Sequence, residues 1–192
     1  MIDRKDQRVG VFVDVQNLYY SGRHLYGRKV NFGEILKSAV GGRKLIRAIA
    51  YVIKAQNPDE QKFFEALEQE GFEVKMKDLQ VFYGGNRKGD WDIGIAMDAI
   101  RLSSKLDVVV LVTGDGDFVP LVEYLQNHGQ FVEVVAFTES ASSQLVREVD
   151  KFTDLSQQSR KYLLGAIRQS GSQPSSPRPN SSTVPTDKNS TN

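Results

Sequence analysis

The chain has 192 residues, 40% of them hydrophobic, with a formal net charge of +1, two histidines and no cysteine. That length supports one domain with a sizeable core, while the composition excludes disulfides, thiolate catalysis and zinc–cysteine sites and disfavours a histidine-rich metal site. The near-neutral balance supplies no global field for nucleic acid, so any polyanion must be bound by local patches. No run approaches the ~20 apolar residues of a membrane span. The charged start "MIDRKDQR" is no signal peptide, so a cytoplasmic location without membrane contact is expected.

Strand-like and helix-like segments then alternate. "RVGVFVDV" (8–15) reads as a buried strand ending at Asp14. "NFGEILKSAV" (31–40) reads as a helix capped by Asn31, with Glu34 three residues on and a stop at Gly41-Gly42. "KLIRAIAYVI" (44–53) is a second strand. "NPDEQKFFEALEQEGF" (57–72) carries Asn57 as cap, Pro58 at the first position and Gly71 as terminator of a helix. "FEVKMKDLQVFY" (72–83) is a third strand, followed by the turn-prone "GGNRKGD" and the helix "WDIGIAMDAIRLSSK" (91–105). "DVVVLVTGDGDFVPLVEYL" (107–125) joins a fourth strand to a helix that stops near Gly129. "FVEVVAF" (131–137) is a fifth strand, "SSQLVREVDKF" (142–152) a short helix, and "QSRKYLLGAI" (158–167) a last helix. Alternation of this kind predicts an α/β fold: a three-layer α/β/α arrangement around a mainly parallel sheet of about five strands, with right-handed crossovers. The domain spans 1–168. Residues 169–192, dominated by Ser, Pro, Asn and Thr, cannot offset chain entropy by burial and read as a disordered tail.

Ligands of open parallel sheets bind outside the carboxyl ends of the strands. Asp14 ends the first strand, Asp115 and Asp117 follow the fourth, and Asp90 and Asp92 open the helix before it. If the first and fourth strands are neighbours, these acids meet at one rim. Packed carboxylates repel and their pKa values rise. A hydrated Mg²⁺ or Mn²⁺ resolves the conflict, because a hard cation takes oxygen ligands and needs few carboxylates. Taken singly, Asp14 and Asp115 read equally well as helix or turn caps, and Asp92 as a first-turn acid favoured by the helix dipole. It is the coincidence of three elements at one rim that points to a site. Asn17 and Thr113 are polar neighbours suited to orienting water, phosphate or a carboxylate. No G-x-G-x-x-G follows a strand, which argues against a dinucleotide enzyme, and "DVQN" lacks the second aspartate of phosphatase-type sites.

The stretches "VFVDVQNLYY", "KGDWDIGIAMDAI", "LVTGDGDFVPLVEYL" and "LVREVDKFTDL", in this order over residues 8–156, resemble the NYN domain, in its LabA-like branch of the PIN-like nuclease superfamily. The resemblance implies an acidic pocket for Mg²⁺ or Mn²⁺ and endonucleolytic cleavage of RNA. It places the catalytic set on Asp14, Asn17, Asp92, Asp115 and Asp117, with Asp98 joining Asp14, Asp92, Asp115 and Asp117 as a metal ligand. An extra residue in "KGDWD" leaves Asp90 competing with Asp92. Some LabA-like proteins resemble regulators, so an RNA-binding or regulatory role without catalysis is the second reading.

RNA, single-stranded by expectation, needs cations and aromatic faces near the acids. Three clusters qualify: "SGRHLYGRK" (21–29) with Tyr19, Tyr20 and Tyr26, "GGRKLIR" (41–47), and "GGNRKGD" (84–90). The last runs into the acidic helix start, which makes Arg87 and Lys88, with Thr113, the candidate substrate contacts. A homodimer and a protein partner engaged by the tail complete the partners considered.

Overall fold

The computed structural model describes residues 5–54, 60–78, 80–81, 87–88 and 90–166, with 80, 81, 87, 88 and 166 described by backbone alone. In chain order the elements are β1 (Arg8–Asp14), α1 (Val15–Tyr26), β2 (Arg28–Val30), α2 (Phe32–Val40), β3 (Lys44–Lys54), α3 (Glu60–Gln69), β4 (Glu73–Asp78), β5 (Gln80–Val81), β6 (Arg87–Lys88), α4 (Asp92–Ser103), β7 (Val108–Val112), α5 (Val119–Asn127), β8 (Phe131–Ala136), α6 (Ser143–Glu148), β9 (Lys151–Asp154), α7 (Ser159–Tyr162) and β10 (Leu163–Ala166). Single 3-10 turns occupy Gly116–Phe118, Thr138–Ser140 and Leu155–Gln158.

Six strands form one parallel sheet in the order β4-β3-β1-β7-β8-β9. Numbered among themselves along the chain, they run 3-2-1-4-5-6, so the order reverses between β1 and β7. Side chains alternate across the pleat. Val9, Val11 and Val13 of β1 and Val108, Val110 and Val112 of β7 face a core with α1, α2 and α3. Phe12, Val109 and Leu111 face the opposite core with α4, α5 and α6. Burial on both faces explains why the run 108–112 is uniformly apolar. Among the described residues no helix is long and apolar enough to cross a membrane.

Local signals behave as expected where they are strong. Asn31 Oδ1 accepts the Glu34 N–H at 3.2 Å and starts α2, and Gly41, at φ 57°, ends it. The Asn57–Pro58 start and the 169–192 tail, with any partner engaged there, lie outside the described residues.

Three expectations are corrected. The sheet has six strands because the segment at 142–152 is not one helix: α6 stops at Glu148, Val149 is extended, and Asp150 Oδ2 accepts the Val132 N–H at 2.8 Å, leading the chain into β9 beside β8. The third strand leaves β3 after Asp78, and Gln80–Val81 pairs instead with Arg87–Lys88. The expected helix at 158–167 is one turn followed by β10, antiparallel to β2. Arg28 fixes that pair, donating to the Leu163 and Leu164 carbonyls at 3.1 Å each.

One buried ion pair ties the layers near the amino ends of β3 and β9. Arg43 and Glu133 side chains are each 2% exposed and meet at 2.6 Å, and the guanidinium also donates to the Ala39 and Val40 carbonyls at the end of α2. Removing Arg43 leaves the buried Glu133 with only the half-exposed Lys151, 3.6 Å away. Arg43→Met is expected to lower stability by about 3–5 kcal/mol in urea unfolding, and Arg43→Met with Glu133→Leu to recover much of that loss. A double variant as unstable as the single one would contradict this account.

Candidate metal centre

The rim where the sheet order reverses is built from strand exits. Val13 of β1 lies opposite Val112 of β7 in the last pair of that ladder, so the next residues, Asp14 and Thr113, come side by side at the rim, Asp14 still paired with Tyr51 of β3. Asp14 caps α1: its Oδ1 accepts the Asn17 N–H at 3.1 Å. Asp115 makes the matching bond two residues along, its Oδ1 accepting the Asp117 N–H at 3.0 Å and opening the turn into α5. Capping and site roles therefore coexist on the same two carboxylates.

Asn17 crosses the rim. Its Oδ1 accepts the Gly114 N–H at 2.9 Å, fixing the start of α1 to the exit of β7. The Gly114 carbonyl accepts the Ser142 N–H at 2.8 Å, and a Cβ on Gly114 would fall 2.8 Å from the Ser140 carbonyl oxygen. Only glycine permits that approach. Opposite this loop, Trp91 precedes α4, packs on Tyr51 and donates from its indole nitrogen to the Val52 carbonyl at 2.9 Å. Gly94 makes room for it, since a Cβ there would lie 2.4 Å from the indole. Trp91 thus seats the first turn of α4 and Asp92 with it.

The outcome is a convergence. Carboxylate oxygens of Asp92, Asp115 and Asp117 lie within 4.8 Å of one another. Asp14 stands behind them, lining a cleft of about 190 Å³ with Asn17, Tyr20, Asp90, Asp92 and Asp115. Burial, then the Asp92 and Asp115 charges, push the Asp14 carboxyl up to about 6, against the Asn17 N–H and the Thr113 hydroxyl, which favour the charged form. Asp92 is raised in turn by burial and by Asp115, Asp90 and Asp117. Among the described residues none of these acids has a salt-bridge partner. Hard oxygen donors, closely spaced and uncompensated, fit a small divalent cation.

The NYN domain model matches residues 8–156. The chain belongs to the NYN domain family. It is 26% identical over 166 residues to "Low amplitude and bright protein LabA" of Synechococcus elongatus, covering 79% of this chain and 85% of that one. A crystal structure of a protein of unknown function, VPA0982 from Vibrio parahaemolyticus, superposes with a TM-score of 0.77 at 33% identity over 85% of this chain and all of that one. The LabA-like resemblance read from the motifs therefore holds.

Not every expected residue of this NYN domain sits at the rim. Asp98 faces elsewhere: its Oδ2 accepts from the Tyr51 hydroxyl at 2.9 Å and from Lys75 at 2.6 Å. Burial would raise its carboxyl, but Lys75, Tyr51 and Arg101 hold it below the usual range. Six residues from Asp92 is one and two-thirds turns, which puts the two acids on different helix faces. Asp90 lines the cleft, but Asp92, not Asp90, joins the trio. Thr113, expected as a substrate contact, is 1% exposed and its Oγ1 accepts the Asp115 N–H at 3.2 Å, so it lies beneath the acids and supports them. Arg87 and Lys88 run in β6 two residues before Asp90, and their side chains lie outside the described residues. Two of the three cations in the cluster at 41–47 are taken by structure, Arg43 by Glu133 and Arg47 by Glu73, while Lys44 is exposed at the start of β3. Tyr26 donates to Glu139 at 2.8 Å, away from the cleft.

Two residues were overlooked. Lys77 of β4 donates to the Asp90 carbonyl at 3.2 Å and lies 5.8 Å from the Trp91 ring centre, beside the start of α4. Gln16 lines the cleft from the first turn of α1. The alternation Lys75, Lys77 along β4 was the available signal, since residues two apart share a face.

The raised carboxyl has a stability consequence. Folded Asp14 keeps its proton to about pH 6, whereas unfolded it ionises near its ordinary value of about 3.9. The folded state binds more protons between these values, so stability falls as pH rises through that window and stays lowered above it. Asp14→Asn keeps a good cap and removes the charge. In EDTA its melting temperature should match wild type near pH 4 and exceed it above pH 6. A difference that does not change with pH would refute the assignment.

Proposed function

We propose that this chain is an endoribonuclease that hydrolyses phosphodiester bonds of single-stranded RNA with Mg²⁺ or Mn²⁺. The observation that carries the reading is the convergence of Asp92, Asp115 and Asp117 within 4.8 Å, with Asp14 behind them, in a family of PIN-like nucleases. Those three acids would hold the ion, which when bound supplies positive charge for the phosphate oxygens and lowers the pKa of water.

The remaining steps belong to the chain. Asp14 Oδ1 is held by the Asn17 N–H and the carboxylate also takes a bond from the Thr113 hydroxyl; the lone pairs that remain, at the cleft wall, take a proton from the attacking water. A carboxyl titrating at about 6 suits a base working near neutrality. Asn17 is a positioning residue: through Gly114 it sets Asp115 relative to Asp14. Tyr20 lines the cleft, stands edge-on to Tyr19 and stacks on His24 at 6.0 Å, offering its ring to an unpaired base. Lys77, with Arg87 and Lys88 close in sequence to Asp90, supplies cations for flanking phosphates.

Cleavage of a single-stranded RNA should require Mg²⁺ or Mn²⁺ and stop in EDTA. Asp92→Asn and Asp115→Asn should each lose on the order of 10²-fold or more in rate, as when one electrostatic stabiliser of a transition state is removed. Asp98→Asn should retain activity, because its carboxylate serves Lys75 and Tyr51. Equal rates in wild type and Asp115→Asn would reject the nuclease reading, and RNA bound but uncut by every protein would favour the regulatory one.

Millimolar Mn²⁺ should also raise the wild-type melting temperature, since a ligand of the folded state alone stabilises it by mass action. The shift should be lost in Asp92→Asn and Asp115→Asn. An identical shift in all three proteins would place the ion elsewhere.

A further inference from the structure

We propose that the groove between α4 and α5 is a nucleobase subsite, taking the base next to the phosphodiester held at the acids. The inference rests on the RNA reading above. Asp92 and Asp117 lie in the wall of this groove as well as in the acidic trio. Beyond them the lining is apolar, chiefly Ile93, Ala96, Pro120, Leu121 and Tyr124, around a space of about 360 Å³.

Folding has left this surface open: Ile93 is 77% exposed and Tyr124 40%. Ile93 directly follows Asp92, and Pro120, Leu121 and Tyr124 line the groove on the side of Asp117, so the carboxylates border apolar surface on both walls. A nucleotide has the complementary make-up, an anionic phosphate joined to a flat ring with apolar faces. Among the described residues no cation lines the groove to meet a phosphate, so it suits the ring and not the backbone. Tyr124 is already in place. Its ring stacks on His128 with centres 4.0 Å apart and planes 27° apart, and His128 Nδ1 bonds the Tyr124 carbonyl oxygen at 2.7 Å. A ring so held loses little freedom on stacking a base. With no hydrogen-bonding side chain in the groove apart from the acids and Tyr124, the subsite accepts any base by stacking. On the far side of the acids Tyr20 and His24 receive the neighbouring base, so the strand crosses the centre between two aromatic stacks.

The test uses the full chain with Mn²⁺ and a short single-stranded RNA carrying 2-aminopurine, compared with the same RNA made abasic at that position. Wild type should change the 2-aminopurine fluorescence and bind the intact RNA about tenfold more tightly than the abasic one. Ile93→Ser and Tyr124→Ala should each abolish most of that preference while binding abasic RNA as wild type does. Tyr124→Leu, which keeps apolar bulk, should also lose it. Equal affinity of wild type for both RNAs, or an unchanged preference in the variants, overturns the subsite and leaves the groove as a protein-docking face. Cleavage read on the same samples separates the two proposals. Base-dependent binding without cleavage retains the subsite and rejects the nuclease. Cleavage with no base preference does the reverse.

Discussion

Val13 of β1 lies opposite Val112 of β7, and the two strands leave the sheet side by side in the same direction. Two of the rim's three parts follow from that pairing, while the third, Asp92, is seated by Trp91 against β3. The pairing brings Asp14 next to Thr113 and, through the Asn17–Gly114 bond, fixes the loop that carries Asp115 and Asp117. The two cores on either face of the sheet clamp the pairing, since Val11 and Val110 face one and Phe12 and Leu111 the other. A one-residue slip between these strands would exchange the faces of each side chain, so the register is strongly defined and so is the site.

Charge is handled in opposite ways at the two ends of the sheet. Near the amino ends of β3 and β9, Glu133 is matched by Arg43 and approached by Lys151 at 3.6 Å. At the carboxyl rim, Asp14 is largely buried with a backbone and a hydroxyl donor, and Asp92 carries a pKa raised by burial and then by its acidic neighbours. A fold able to neutralise a buried acid in one place has, among the described residues, left several acids without a salt bridge in another, with Lys77 acting on Asp92 only from a distance. That imbalance costs stability in the isolated chain, and a divalent cation is the simplest species that removes it.

Much of this was legible in the sequence. The β-branched run at 108–112, the cap at Asn31 and the stops at Gly41 and Gly129 are strong local signals, and all hold. The rim was legible because acids at three strand or helix ends converge in any doubly wound order that makes β1 and β7 neighbours. The misses have physical causes. β9 is only four residues long and half-buried, and "KFTD" continues a helical pattern, so nothing local marks it as a strand. β10 and β2 find each other across more than 130 residues, a pairing no local period encodes. Asp98 matched a family motif but carries a lysine and a tyrosine that only the folded sheet supplies. Arg43 looked like a surface cation until Glu133 arrived from β8.

Both strand-exit aspartates keep one oxygen on a backbone N–H, Asp14 on that of Asn17 and Asp115 on that of Asp117. Asparagine can make either bond equally well. Shape and charge are therefore separable at these two positions: two conservative exchanges would remove two of the rim's negative charges, leave those of Asp92 and Asp117, and keep the same backbone and cleft. Such an architecture lets the charge of the rim be retuned in small steps, without refolding along the way.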